Sequence, residues 1–465
     1  MNNIAFPKSP CFKVLIIALA FCSFRANGQE ALSLSGALAQ GLNNNFDIRI
    51  EQGNVAVAEN NNKWGEAGRY PTVSFGLNQN NSLTDNVKTA SPFQLQDITL
   101  ANSLNPSINL NWTLFNGFKI NMSKRRLDQL QAESEGNASI VIANNIQAII
   151  LGYYLASLEL ERLDAFKKQL ILSMDKFEYV KTGKELGTSG TSELLLEEGN
   201  YLTDSVNLIN QQLAYRNAVR NLNILMGVEQ VDKDYHLTDQ LPTEFPNFIV
   251  ENLQEKMLNN NVDLKKQFIT QALLGTSVKI TKADRYPSLS LNAGISENRS
   301  RVDLSKASFP QGDGSFAPGP TDPLNAVTDN YFANFTLSFA LFNGGKINRA
   351  IRNSLVQEDI GNIRMEKLRA SLTNSLLSAH DRYQIRQQIY EINLKREQSA
   401  KMNLDISADK FKNGSINSFD YRVVQNTYLS ASVLKLQSIY DLMDSKVELM
   451  RLTGGLIEEY SSADQ

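Results

Sequence analysis

The stretch Leu114-Phe115-Asn116-Gly117-Phe118-Lys119-Ile120-Asn121, LFNGFKIN, recurs far along the chain as LFNGGKIN, Leu341 to Asn348. Ahead of the first copy, Ile108, Leu110, Trp112 and Leu114 alternate with Ser107, Asn109, Asn111 and Thr113. Ahead of the second, Phe335, Leu337, Phe339 and Leu341 alternate with Asn334, Thr336 and Ser338. Alternation over this length predicts half-buried strands. Beyond the first copy, Ile142, Ile146, Ile149, Tyr153, Ala156, Leu160 and Leu163 step by four and three in turn, the heptad spacing of helices packed knobs into holes. No proline interrupts Lys119 to Lys184, so this helix would reach roughly 100 Å at 1.5 Å per residue. The repeated phrase therefore marks a strand turning into a long helix, where Asn and Gly tolerate the backbone geometry required. Asn116, Gly117, Asn343 and Gly344 are read as structural junctions.

Other marks recur at fixed offsets. Leu42-Asn43-Asn44-Asn45-Phe46-Asp47-Ile48 resembles Leu258-Asn259-Asn260-Asn261-Val262-Asp263-Leu264, and Arg69-Tyr70-Pro71 returns as Arg285-Tyr286-Pro287, both 216 residues on. From LFNG onward the offset is 227, which also pairs Gly187 with Gly414 and Leu222, Leu225 and Gly227 with Leu449, Leu452 and Gly454. One duplicated unit therefore fills the chain. The predicted division is 1–28 as a signal peptide, 29–230 as the first repeat, 231–246 as a linker and 247–465 as the second repeat. Each repeat reads as a helix, a β-hairpin and a long helix pair. The first helical stretch is expected from Leu34 to Gly68. Strands of about ten residues begin after Pro71 with Val73, Phe75 and Leu77 against Thr72, Ser74, Gly76 and Asn78, and after Pro287 with Leu289, Leu291 and Ala293. The offset changes by 11 residues between the Tyr-Pro and LFNG marks, so that interval should hold an exposed loop, and the intervening loops are polar, as in Phe309 to Asn325. Glycine breaks at 187–190 and 413–414 turn each long helix back, and the return helices end at Met226-Gly227 and Thr453-Gly454.

The N-terminus carries Lys8 and Lys13 before Val14 to Phe21 and a small-residue Ala26-Asn27-Gly28 site, the pattern of a secretory signal. The rival reading is a lipoprotein anchored through Cys22, against which stands bulky Phe21. Both cysteines, Cys11 and Cys22, fall in this segment, so the mature chain would have neither disulfides nor thiol ligands. Without Lys8, Lys13 and Arg25, 43 basic residues face 49 acidic ones, a balance that does not suggest nucleic acid. An exported chain with alternating strands and no uninterrupted apolar span of ~18 residues is either soluble or crosses a membrane as a β-barrel. Four strands cannot close a useful barrel, and an open edge in lipid leaves backbone groups unpaired. Copies of the chain must then complete it. Three copies give twelve strands above a ring of long helices.

The features LAQGLNNNFDIRI, the Tyr-Pro before each first strand, the paired LFNG and the terminal LMG and LTG resemble the TolC-type outer-membrane efflux protein family. That resemblance spans nearly the whole mature chain. It implies a mainly α fold with membrane β: a duplicated unit of long coiled-coil helices forming an α-barrel, plus four strands per protomer in a homotrimeric twelve-stranded transmembrane β-barrel. It further implies an outer-membrane location extending into the periplasm, and docking on a periplasmic adaptor and an inner-membrane transporter. The implied function is the passive exit duct of a tripartite efflux pump or type I secretion system. A periplasmic coiled-coil scaffold or adhesin without a pore is the alternative. No enzyme is expected, because no nucleophile–base pair stands out. No cofactor or metal is assigned either: His236 and His380 are unrelated in the repeat, and no phosphate loop appears.

The resemblance also points to the far helix turns. Gly187, Thr188, Ser189, Gly414, Ser415 and Ile416 become adaptor-contact candidates. The family pattern places two aspartates six and nine positions after the second turn glycine. Asp420 matches the first as a periplasmic gate candidate, while Val423 stands in place of the second. Glu193 is the equivalent of Asp420 in the first repeat. Phe411 and Ile416 replace a family Tyr and Arg, so the family's polar latch is not reproduced. Three Asp420 carboxylates in a narrow mouth would favour cations. The ordinary role for Asp420 is to favour the N-terminus of its helix.

Overall fold

The computed structural model describes residues 30–86 and 97–460, and the expected signal segment lies outside the described residues. In chain order the first half runs β1 (Glu30–Leu32), α1 (Leu34–Asn44), α2 (Phe46–Asn61), β2 (Thr72–Asn86), β3 (Asp97–Asn116), α3 (Lys119–Glu185), α4 (Thr191–Met226) and β4 (Tyr235–Leu237). The second half runs α5 (Val250–Asn260), α6 (Val262–Ala283), β5 (Ser288–Asp303), β6 (Ser308–Pro310), β7 (Phe316–Pro318), β8 (Leu324–Ser338), α7 (Lys346–Lys412), α8 (Ser418–Leu452) and α9 (Gly455–Tyr460). Helices α3 and α7 are each 67 residues long, about 100 Å. The small β6–β7 hairpin lies in the interval expected to hold an exposed loop.

The first helical stretch is two helices, not one. Asn45 leaves helical geometry (φ −56°, ψ 134°), and its Oδ1 accepts from the backbone N–H of Asp47 and Ile48, capping α2. Asn261 does the same between α5 and α6, accepting from Leu264 N–H. Asparagine favours this because its short side chain substitutes for the missing helix carbonyls. Helix α3 contains a window apolar enough to cross a membrane by composition. Part of that apolarity is internal: Ile146, Ile149, Ile150 and Tyr153 are fully buried among α1, α4, α8 and the β1–β4 pair.

Strands β2, β3, β5 and β8 form one antiparallel sheet in that order. They are 15, 20, 16 and 15 residues long, longer than the ten expected. The apolar alternation is densest in the part nearest the helices; beyond it polar residues predominate, with Leu83, Leu100, Leu104 and Val327 still on the apolar face, and pairing continues. The alternation expected to include Leu114 breaks at a bulge, so that Phe115 instead stands opposite Leu289. β8 ends at Ser338, short of the expected Phe339 and Leu341.

A charge-free wall and an ionic tip

Register assigns every strand residue to a face. One row is Phe75, Ile108, Ile295 and Tyr331; the neighbouring row is Gly76, Ser107, Ser296 and Asn330. The face of Thr72, Asn111, Asn292 and Asn334 carries Ser, Thr, Asn, Gly and a few apolar residues, with no charge from Thr72 to Thr84 or at its partners on β3, β5 and β8. Of the strand charges, Asp85, Glu297, Arg299, Arg301, Asp303 and Asp329 lie on the other face, while Asp97 pairs with Asn86 at the far end of the polar face. A neutral polar face backed by an apolar one suits water on one side and hydrocarbon on the other.

At the junctions, Asn116 ends β3 and Gly117 and Gly344 take φ of 67° and 63°. Phe118 and Gly345 follow at 65° and 75° as N-caps of α3 and α7. Phe118 is the sole non-glycine residue with positive φ among the described residues, and its ring packs edge-on to Phe115 at 5.5 Å. A Cβ on Gly117 would stand 2.6 Å from Ala283 O, so the close approach of α6 requires glycine there. Asn343 accepts the Lys346 N–H bond in the second turn.

At the opposite end of the long helices, Gly187 (φ 78°) and Gly414 (φ 70°) make the turns, with Thr188 N–H on Gly183 O and Ser415 N–H on Lys410 O. Gly187, Thr188, Gly414 and Ser415 are exposed, Ser189 and Ile416 half-buried. Asp420 is exposed in the first turn of α8, where its N–H bonds Asn417 Oδ1 at 2.8 Å and its carboxylate accepts from Asn417 Nδ2 at 2.9 Å. This reciprocal cap is the ordinary role foreseen for Asp420.

Behind the turns lies a buried polar seam that the sequence reading missed. Lys176 on α3 pairs with Glu197 on α4 at 3.0 Å and donates to Ser418 O on α8 at 2.6 Å. Ser418 Oγ bonds Glu197, and Lys176 faces the rings of Phe411 and Tyr421. One level on, Arg422 grips Asp204 through both terminal nitrogens at 2.6 and 2.8 Å, joined by Ser173 and Gln169. Lys176, Glu197 and Asp204 are each less than 5 % exposed. Burial alone would raise the Asp204 pKa, but the Arg422 and Ser173 hydrogen bonds outweigh it and hold the carboxyl below its usual range. Burial pushes the Lys176 ammonium down despite Glu197. The signal was present in spacing: Gln169, Ser173 and Lys176 step by four and three, as do Ser418, Arg422 and Gln425, continuing the heptad seam with polar residues. At the 227-residue offset the seam's partners become Asn403, Val424 and Ala431, so the lock is confined to α3, α4 and α8.

Residues 253–455 match the family described as outer membrane efflux protein. That match lies within the second repeat. No curated protein matches this sequence. The whole fold is similar to the Campylobacter jejuni CmeC outer membrane channel (TM-score 0.72, 18% identity, covering 93% of this chain and 88% of that one). It is similar also to a Pseudomonas aeruginosa membrane protein (0.71, 14%, 90% and 92%) and to the open state of the Neisseria gonorrhoeae MtrE outer membrane channel (0.63, 13%, 91% and 89%). The TolC-type architecture expected from the sequence therefore holds: long coiled-coil helices continue into a four-stranded sheet.

Proposed function

We propose that this outer membrane efflux protein forms a homotrimeric exit duct. Twelve strands would line the outer membrane, and the long helices would wall the periplasmic tube of a tripartite pump. The observation that carries the reading is the sheet: one face polar and uncharged from Thr72 to Thr84, the other with an apolar band nearest the helices, and β2 and β8 at its edges. Unpaired edges are untenable in lipid, so β8 of one copy pairs with β2 of the next.

The duplication supports the same closure. Within the chain, the first repeat packs on the second through β3 on β5, α3 on α6 and α3 on α8. The equivalent surfaces pointing outward are β8 and β2, α7 and α2, α7 and α4. They carry exposed apolar stripes: Ile50 and Val57 on α2, Val356 and Ile363 on α7, each pair seven residues apart. Leu195, Leu202, Val206, Ile209 and Leu213 run along α4, and Ile385, Ile389, Ile392, Met402 and Ile406 along α7. Counted from their turns, Leu202 and Met402 stand at nearly the same level, as do Leu213 and Ile389. Heptad stripes at matched heights fit neighbouring copies packed knobs into holes.

In this duct the turn residues Gly187, Thr188, Ser189, Gly414, Ser415 and Ile416 meet the adaptor, and Asp420 rings the mouth. The ionic seam closes each protomer's two helix hairpins together. The scaffold alternative leaves the apolar outer face of the sheet in water. Fractionation and planar-bilayer recording test the proposal. The expected result is a heat-sensitive trimer in the outer membrane with stable single-channel conductance; a soluble periplasmic monomer without conductance overturns it.

A further inference from the structure

The two repeats differ at one matched place. In the first, β1 pairs in parallel with β4, Glu30 to Leu32 against Tyr235 to Leu237, so the segment after α4 folds back over α1. Asn223 holds that segment by donating to Val231 O and Lys233 O, both at 2.8 Å. Leu32, Tyr235 and Leu237 are buried as a result. At the 216-residue offset β1 corresponds to Pro246, Asn247 and Phe248. These residues are anchored in the same way. Tyr153 donates to Leu32 O at 2.9 Å, and its counterpart His380 donates from Nε2 to Phe248 O at 3.2 Å. Yet no strand pairs with 246–248 among the described residues, because the chain after α8 turns into α9 and packs on α3 instead. A groove of about 450 Å³ remains between 246–249, α5 and the end of α8, where the first repeat has β4.

Its chemistry is definite. Phe248, Leu253, Leu449 and Met450 give it an apolar floor. Lys256 and Lys446 line it, neither in an ion pair among the described residues, and no carboxylate lines it. In the first repeat these lysines correspond to Gln40 and Val219. The covering segment there, Val231 to Leu241, carries Asp232, Asp234 and Asp239.

We infer that this groove receives an extended acidic peptide segment of a partner protein, added as a parallel strand beside 246–248. Strand addition supplies backbone bonds, and the side-chain pockets and charges supply selectivity. The lysines favour acidic residues and the floor takes one apolar side chain, as the first repeat's own groove takes Leu237. The inference is independent of the duct reading: trimer formation and conductance do not depend on the groove.

The probe is a fluorescent peptide with the sequence of residues 231–241, titrated against the full-length protein in detergent by anisotropy. Saturable binding is expected, weakened at least tenfold by K256E with K446E, and by Asn in place of the three peptide aspartates. Because Lys446 is half-buried, K256E alone is measured too, with at least threefold weakening expected. A photo-crosslinker at exposed Ile249 in the same samples should label the peptide. Binding indifferent to the lysines, or no saturation, overturns the inference. So does crosslinking in cells that yields only products within this chain or between its copies, which would make the occupant its own tail or a neighbour.

Discussion

Asn45 donates its side-chain amide to the carbonyl of Leu225, 2.8 Å away and 180 positions along the chain, and Asn261 does the same to Leu452 at 2.9 Å. Each asparagine thus caps the helix that follows it and holds the last carbonyls of the distant return helix. The recurring Asn-rich phrase and the recurring LMG and LTG ends are two halves of one fastening. Asn261→Ala removes a cap worth about 1 kcal/mol and leaves a buried carbonyl unbonded at a cost of about 1–3 kcal/mol. A loss of about 2–4 kcal/mol is expected in denaturant unfolding of the detergent-solubilised protein. Asn261→Asp keeps the cap and should lose less.

The glycines closing the return helices are not equivalent to those at the tip. A Cβ on Gly454 (φ 75°) would stand 2.5 Å from Asn260 O, and on Gly227 2.3 Å from Asn44 O, whereas Gly414 faces open space. Gly454→Ala should lower thermal stability by more than about 2 kcal/mol through strain and overlap, and Gly414→Ala by only about 1 kcal/mol. Melting of the two variants side by side checks the order.

Cutting one partner out of the ionic seam leaves a buried charge alone, which costs about 3–5 kcal/mol. Arg422→Met should loosen α8 from α3 and α4, increase protease cleavage at 187–190, and raise conductance in bilayers. The pH dependence follows from Asp204, whose folded-state pKa is lowered. Its contribution is fully present above the usual 3.8 and is lost as pH falls through the lower folded value. Protease resistance of the tip should therefore hold at pH 5 and fail only in strong acid below about pH 4.

Since the inner strand face carries no charge from Thr72 to Thr84 or at the partners of these residues, Arg299→Gln on the outer face should leave ion selectivity unchanged. Asn109→Asp would set three carboxylates in the lumen and shift the reversal potential toward cations. Salt-gradient recordings decide; equal shifts in both would contradict the assignment of faces.

Asp420→Ala keeps the backbone cap on Asn417 Oδ1 and removes only the exposed bond from Asn417 Nδ2 and a first-turn carboxylate, at about 0.3–1 kcal/mol. If the carboxylate also rings the mouth, cation preference and block by divalent ions fall together. Unchanged selectivity would leave Asp420 with its cap alone.

Much of this was legible in sequence. Both long helices end within a residue of their predicted limits, because glycine breaks and LFNG are local signals. The fold's duplication was written in offsets. Strand length was under-read since β5 beyond Ile295 alternates charged with neutral polar residues and β2 beyond Leu77 is mostly polar. The break at Asn45 was hidden because asparagine sits inside a continuous helical pattern and acts through Leu225, far along the chain. Lys176, Glu197, Asp204 and Arg422 resemble a solvated helix face until α8 is laid over α3. The pairing of β1 with β4 joins residues about 200 apart, and no local pattern announces it.

In the proposed duct, a lining free of charge from Thr72 to Thr84 also bears on direction. Asparagine and serine hold a passing solute no more firmly than the water around it, so the outer passage offers neither bait nor barrier. Whatever travels through would move down its own concentration gradient once delivered, and every decision about what leaves the cell, and when, falls to the far end.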